Sequence, residues 1–300
     1  MAPTFEYALP TVPTDPVSAL AFNPSPESAN QLLVASWDKN VRLFHLPDYA
    51  EASSSSTPAE SVKLVHTFPH DAPVLDVCWI NDKLAASGGL DRRVRLLNLE
   101  TGQSQIIGKH GSAVNRIRFS QATGLLLSSS WDATLSVWDP LATEPTVIKT
   151  LTHPEKILAI DVAPPYSGTT DNEAAKIVDA TPRLVVGMTG RLVHIYNISQ
   201  WSAERRDDES VWKPEQKRES SLKFMLRDIR CMPSGTGRYA GRTRISCLTC
   251  SLFLLRLCHF LRRGARCRRV LRLVRILSGA KVRVQVSSTG GRWRRHGVPC

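Results

Sequence analysis

The sequence predicts an all-β fold, a β-propeller assembled from repeated sheets, and three observations carry that prediction. Four twelve-residue windows share one pattern: VASWDKNVRLFH (34–45), SGGLDRRVRLLN (87–98), SSSWDATLSVWD (128–139) and VGMTGRLVHIYN (186–197). Each follows an apolar, β-favouring run: VSALAFNP (17–24), VLDVCWIN (74–81), VNRIRFSQ (114–121) and ILAIDVAP (157–164). The fifth places of the windows lie 53, 41 and 58 residues apart. The middle spacing matches the roughly 40–45 residues of one propeller blade.

Each window opens on small or β-favouring residues and reaches a turn residue, Asp38, Asp91, Asp132 or Gly190. Apolar and polar residues then alternate, as from Val41 to Leu43 and from Leu135 to Val137. Alternation on both sides of a tight polar turn is the pattern of a β-hairpin with one face buried. The units fall near 15–47, 66–99, 106–140 and 150–198, with the start of a further one at 216–234. The two longer spacings contain EASSSSTPAES (51–61) and PPYSGTTDNEAAKIVDATP (164–182). Both are rich in Pro, Ser, Thr or charge, so both read as surface loops.

Composition separates two kinds of sequence. The 42% apolar content of 300 residues is enough for a core. No run of about 18 apolar residues is present, which argues against a membrane-spanning helix. The N-terminus lacks a basic stretch followed by an apolar one, so no secretory signal is read and an intracellular chain is expected. After Asp228 there is no Asp or Glu, but there are 16 Arg and one Lys. Taking these 17 from the 39 basic residues leaves 22, against 27 acidic ones, so the net charge of +12 belongs to the tail. Cys78 is the only cysteine before Cys231; the other five follow that one.

The windows resemble WD repeats, in which a His, a Ser or Thr, the hairpin Asp and a late Trp form a hydrogen-bonded tetrad. The third unit supplies all four as His110, Ser128, Asp132 and Trp138. A buried turn carboxylate needs donors, and His and Ser provide them while Trp covers the set. The first unit ends in Phe44-His45 and the second in Leu97-Asn98, so the set is incomplete there. Trp131 is outside the tetrad: it sits just before the turn, a place shared by Trp37 but filled by Leu90 and Thr189 in the other units. On the rim of a propeller an aromatic has little core to enter, which makes both tryptophans candidates for partner contact. The alternative is packing between adjacent blades.

Several segments go beyond the generic repeat: PTDPVSALAFNP, LLVASWDKNVRLF, LAASGGLDRRVRLLNL, SSSWDATLSVWDP, HPEKILAIDVA, LVVGMTGRLVHIYNI and QKRESSLKFMLRDIRCMP (216–233) occur in one order. Over about residues 10–234 the chain resembles the WD-repeat protein of the mitotic spindle checkpoint, the budding-uninhibited-by-benzimidazoles family. RESSLKF followed by LRDIR is the most discriminating part. The resemblance implies a seven-bladed propeller, of which four blades and the start of a fifth are recognised here. It implies a non-enzymatic adaptor, with no cofactor or metal, acting in the nucleus and at the kinetochore in mitosis. Its partners would be a short motif of the checkpoint kinase and its relatives, bound across the top of the propeller, and phosphorylated repeats of the kinetochore scaffold. Trp37 and Trp131 match family positions on that surface, and Arg227 matches a position that contacts phosphothreonine. A planar guanidinium suits that role because it pairs bidentately with phosphate. The alternative for Arg227 is a solvated charge or an ion pair with Asp228. A sister family, the WD-repeat mRNA-export factor of the nuclear pore, shares the opening PTD and SWD segments.

No nucleophile-elbow, P-loop or zinc-protease pattern is present, and the scattered His, Asp and Ser fall on repeat positions, so catalysis is not expected. In the tail, Cys247-x-x-Cys250 with Cys258, His259 and Cys267 raises a zinc site, but the second pair is not a matched knuckle. A basic segment that binds nucleic acid or an anionic surface is the other functional reading. The favoured reading takes 235–300 as an out-of-frame or intron-derived stretch, poorly ordered, because fifteen arginines without an acid and without strand-turn rhythm fit a biased frame. A propeller without the later blades is expected to be of poor stability, since each repeat buries itself against its neighbours.

Overall fold

The computed structural model describes residues 5–25, 27–46, 62–163, 181–220 and 226–231, with three strands further on. A short strand β1 (Phe5–Ala8) precedes four antiparallel sheets of four strands each. The first sheet holds β2 (Val17–Phe22), β3 (Gln31–Ser36), β4 (Asn40–His45) and β5 (Lys63–Pro69). The second holds β6 (Val74–Trp79), β7 (Leu84–Gly89), β8 (Arg93–Asn98) and β9 (Ser104–Lys109). β10 (Val114–Ser120), β11 (Leu125–Ser130), β12 (Thr134–Trp138) and β13 (Val147–Thr152) form the third. The fourth contains β14 (Ile157–Ala163), β15 (Arg183–Met188), β16 (Leu192–Asn197) and β17 (Gln216–Glu219). In each of these four sheets the strands lie in sequence order, as in the blades of a WD-repeat β-propeller.

Burial explains why the second strand of each sheet does not alternate. β7 (LAASGG) and β11 (LLLSSS) are buried almost throughout, because neighbouring sheets cover both of their faces. The outer strands β5 and β13 alternate, as a strand with one covered face should. The core is therefore a series of layers between sheets. Leu33, Ala35, Leu43 and Phe68 of the first sheet meet Val77, Trp79 and Leu97 of the second. Ala86, Val94 and Leu96 meet Val114, Ile117, Leu126 and Trp138 of the third. Leu127, Leu135 and Val137 meet Ile160, Leu184, Val186 and Tyr196 of the fourth.

Two glycines are fixed by these layers. A Cβ on Gly108 would strike the indole of Trp138, so the outer strand of one sheet carries no side chain where the next sheet seats its tryptophan. A Cβ on Gly88 would strike Val114 and Ile117 of β10.

The stretch expected to open a fifth unit, 216–234, divides in two. Gln216–Glu219 pairs with β16 and is the outer strand of the fourth sheet. Leu226 and Ile229 are fully buried against Ala159, Val185 and Val193. They approach Gly187 as Val114 and Ile117 approach Gly88, and LRDIRC lines up with VNRIRF of β10. In packing terms the next unit begins at Leu226, and an outer strand in the structure is the first strand of the following sequence repeat.

Residues 235–300 contain β18 (Leu254–Cys258), β19 (Arg269–Leu277) and β20 (Lys281–Thr289), where no strand rhythm is expected. They form a fifth sheet in the order β1-β20-β19-β18. KVRVQVSST alternates valine with polar residues from 281 to 286 and is β-branched, which is the local signal for a strand. The arginine count obscures that signal when the tail is read as a whole.

Candidate functional site

The four hairpin tips share one backbone arrangement. At each tip the residue before the turn donates its N–H to the loop ahead of the sheet's first strand. Trp37 donates to the Pro16 carbonyl (3.0 Å), Leu90 to Pro73 (2.9 Å), Trp131 to Ala113 (3.1 Å) and Thr189 to Lys156 (3.1 Å). The residue after the turn position is left-handed in all four: Lys39 (φ 68°), Arg92 (66°), Ala133 (68°) and Arg191 (68°). This conformation is unfavourable for a residue with a Cβ. It aims the carbonyl at the end of the outer strand, where the N–H groups of His70, His110, His153 and Ser220 donate to it at 2.8–2.9 Å. Each tip is thus held from two sides by backbone bonds within its own unit.

In the third sheet the predicted tetrad is assembled. The Ser128 hydroxyl accepts from the Trp138 indole N–H (2.8 Å) and bonds His110 Nε2 (2.8 Å). His110 Nδ1 bonds the Thr134 hydroxyl (2.8 Å), and that hydroxyl donates to Asp132. The other oxygen of Asp132 accepts the N–H groups of Gly111 (2.6 Å) and Ser112 (3.2 Å). Thr134, which the repeat pattern did not single out, carries the link between His110 and Asp132; their direct separation is 3.9 Å. Burial lowers the pKa of His110, against the Asp132 charge that raises it. Burial alone would raise the Asp132 carboxyl, but the Thr134 hydroxyl and amide and the Gly111 amide bring it below the usual carboxylate range.

The other turns use different partners. Asp38 pairs with Arg42 (2.7 Å) and Asp91 with Arg95 (3.1 Å), in both cases an arginine four residues on. The second sheet keeps half of the tetrad, with His70 Nε2 on the Ser87 hydroxyl (2.8 Å). Gly190 has no carboxylate to offer, and Glu155 supplies one from the opposite side, bonding the Gly190 amide and the Thr189 hydroxyl (2.9 Å). With no Cβ, Gly190 leaves room for that carboxylate, which a side chain there would displace. Spacing within a window does not find Glu155, since it comes from the preceding loop. In the same sheet His153 Nε2 bonds the Tyr196 hydroxyl (3.0 Å) beside His194, with ring centroids 5.6 Å apart.

Trp37 and Trp131 stand at matching tips of the first and third sheets and are 47% and 38% exposed. The tetrad Trp138, by contrast, is 4% exposed. The second sheet separates them, and Leu90 occupies the place between. Arg227 is exposed on the segment packed beside the fourth sheet, between the buried Leu226 and Ile229. Asp228 pairs with Arg230 (3.3 Å) rather than with Arg227. The sheets thus bring the four tetrad residues together, set the two tryptophans at equivalent hairpin tips, and leave Arg227 exposed between the buried Leu226 and Ile229. Among the described residues no group of three His, Cys, Asp or Glu could hold a metal. Cys247, Cys250, His259 and Cys267 lie outside the described residues, and of Cys258 only its place at the end of β18 is described.

Comparison with known proteins agrees with this geometry. The "WD domain, G-beta repeat" family matches at residues 8–45, 62–98 and 102–139. The mitotic checkpoint protein BUB3.1 of Arabidopsis thaliana is 33% identical over 240 residues, covering 79% of this chain and 58% of that protein. The Poly(A)+ RNA export protein of Schizosaccharomyces pombe is 28% identical over 239 residues, 78% of this chain and 56% of that protein. Protein Rae1 of Drosophila melanogaster is 30% identical over 246 residues, 80% and 61%. The chain spans less than two thirds of the length of these curated relatives.

Proposed function

Because the chain belongs to the WD40-repeat family of the BUB3 mitotic checkpoint proteins, which are non-enzymatic, we propose that it acts as an adaptor of the spindle checkpoint. In this reading the hairpin rim grips a short motif of the checkpoint kinase, and Arg227 contributes to recognition of a phosphorylated kinetochore-scaffold repeat. The adaptor works in the nucleus and at the kinetochore during mitosis. The observation that carries the reading is the exposure of Trp37 and Trp131 at equivalent tips. An indole held in solvent on a rigid turn is the kind of anchor that dominates peptide interfaces. Isothermal titration of the full chain with a synthetic peptide of the kinase motif tests it. Trp37→Ala and Trp131→Ala are each expected to weaken binding about tenfold or more, in the range of a hot-spot loss. Unchanged affinity in both variants would sink the assignment of the rim.

The export relatives support a second reading, in which the same rim takes a peptide from a nuclear-pore protein. Titrating that peptide alongside the kinase peptide separates the two, since the true partner must bind more tightly and lose affinity on tryptophan removal.

A further inference from the structure

One segment of the fourth unit leaves its own sheet. Between β16 and β17 the chain runs from Ser199 to Glu215 and reaches back to the third sheet. Trp201 and Trp212 are both buried and stack with ring centroids 4.8 Å apart. Each indole N–H is satisfied within the segment, on the Val211 carbonyl (3.0 Å) and the Arg205 carbonyl (2.9 Å). Both rings belong to the layer between the third and fourth sheets, alongside Ile148, Leu127 and Tyr196. The segment is therefore a folded strap with its own small apolar seat.

What the strap covers is the outer edge of the third sheet. β13 is the last strand of that sheet, so its outward backbone groups have no strand beside them. Arg206 fills that place: its Nε donates to the Ile148 carbonyl (2.9 Å) and its Nη2 to the Val147 carbonyl (3.0 Å). The contact is returned, because Lys149 of β13 donates to the Arg206 carbonyl (3.1 Å) and pairs with Glu209 (2.5 Å). One guanidinium thus caps two successive carbonyls at the point where Ile148 falls out of the register between β12 and β13. The edge it guards is VIKTLT, β-branched and with a single charge. Such an edge is a template for strand pairing unless it is blocked.

We propose that Ser199–Glu215 is an edge guard: seated by its two tryptophans and by Arg206, it keeps β13 from pairing with β13 of a second copy of this chain. An antiparallel pairing of identical edges is isologous, so it closes as a dimer. This inference rests on the strap alone and is independent of the partner-binding reading.

Sedimentation velocity of the full chain over a concentration series tests it, with circular dichroism to follow the fold. Arg206→Ala is expected to move the weight-average mass toward twice the parent's as concentration rises. Arg205→Ala, whose side chain bonds Gln200 (2.8 Å) within the strap rather than β13, is expected to match the parent. Adding Val147→Lys to Arg206→Ala places a charge on the uncovered edge and is expected to restore the parent's mass. If Arg206→Ala loses its tertiary dichroism, Arg206→Lys carries the same test, since an ammonium cannot span both carbonyls with a planar fork. The proposal is overturned if the folded Arg206 variant has the parent's mass at every concentration. It is equally overturned if association persists in the Val147→Lys double variant, because the contact then lies elsewhere.

Discussion

Replacing Ser128 with alanine removes one hydroxyl and leaves two ring nitrogens without their partner. Ser128 is fully buried, and its oxygen accepts from the Trp138 indole at 2.8 Å while bonding His110 Nε2 at 2.8 Å. The rings cannot turn to find substitutes: His110 is held through Nδ1 by Thr134, and Trp138 is packed on Gly108. A buried polar group left unpaired costs about 1–3 kcal/mol. Two of them, with little change in volume, give a loss of roughly 2–6 kcal/mol. Ser87 of the second sheet provides the comparison, because it bonds His70 at 2.8 Å while Leu97, which cannot donate, holds the repeat position that is Trp138 in the third sheet. Ser87→Ala should then cost about half as much, roughly 1–3 kcal/mol. Urea unfolding of both variants at neutral pH, followed by tryptophan fluorescence, measures the difference. An equal loss for the two serines, or a smaller one for Ser128, would refute the idea that the hydroxyl is shared between two rings.

Two further outcomes follow from the same layers. Burial, then the neighbouring His194, lowers the His153 pKa to about 4 from the ordinary 6.5. The folded state therefore binds fewer protons than the unfolded one between these values, so the stability from this group is whole above about pH 6.5 and falls as pH drops toward 4. His153→Asn should flatten that part of a urea-midpoint profile by up to about 3 kcal/mol, and an unchanged slope would show that His153 does not titrate in this way. Gly108→Ala drives a methyl group into the Trp138 ring across the layer between the second and third sheets. It is expected to destabilise by about 1–3 kcal/mol, visible as a lowered thermal midpoint, whereas Gly124→Ala, with open space at its Cβ but φ 71°, should fall only through backbone strain.

The hairpins, their order and the tetrad were legible because they are local. Asp38, Asp91, Asp132 and Gly190 are set by a repeat visible in one line of sequence, and the strands before them by their β-branched runs. Glu155 was hidden because it works from the loop before the sheet, thirty-five positions from Gly190 in the chain. Thr134 was hidden for a different reason: in an alternating strand a threonine is unremarked, and only geometry shows its hydroxyl between His110 and Asp132. The strap was out of reach, since nothing in RRDDES marks Arg206 for the carbonyls of β13. Arg227 needed the resemblance, for exposure alone does not distinguish one surface arginine from another.

The layered core gives the rim a mechanical side. Trp37 belongs to the first sheet and Trp131 to the third, so a single peptide held by both rests on three sheets and crosses two seams. Such a ligand is a brace as well as a passenger. Its affinity is spent partly on keeping the sheets in alignment, and by mass action it should hold them together against spreading. Recognition and cohesion of the layered sheets are then two readings of one contact, and a weak seam would announce itself first as a weak grip.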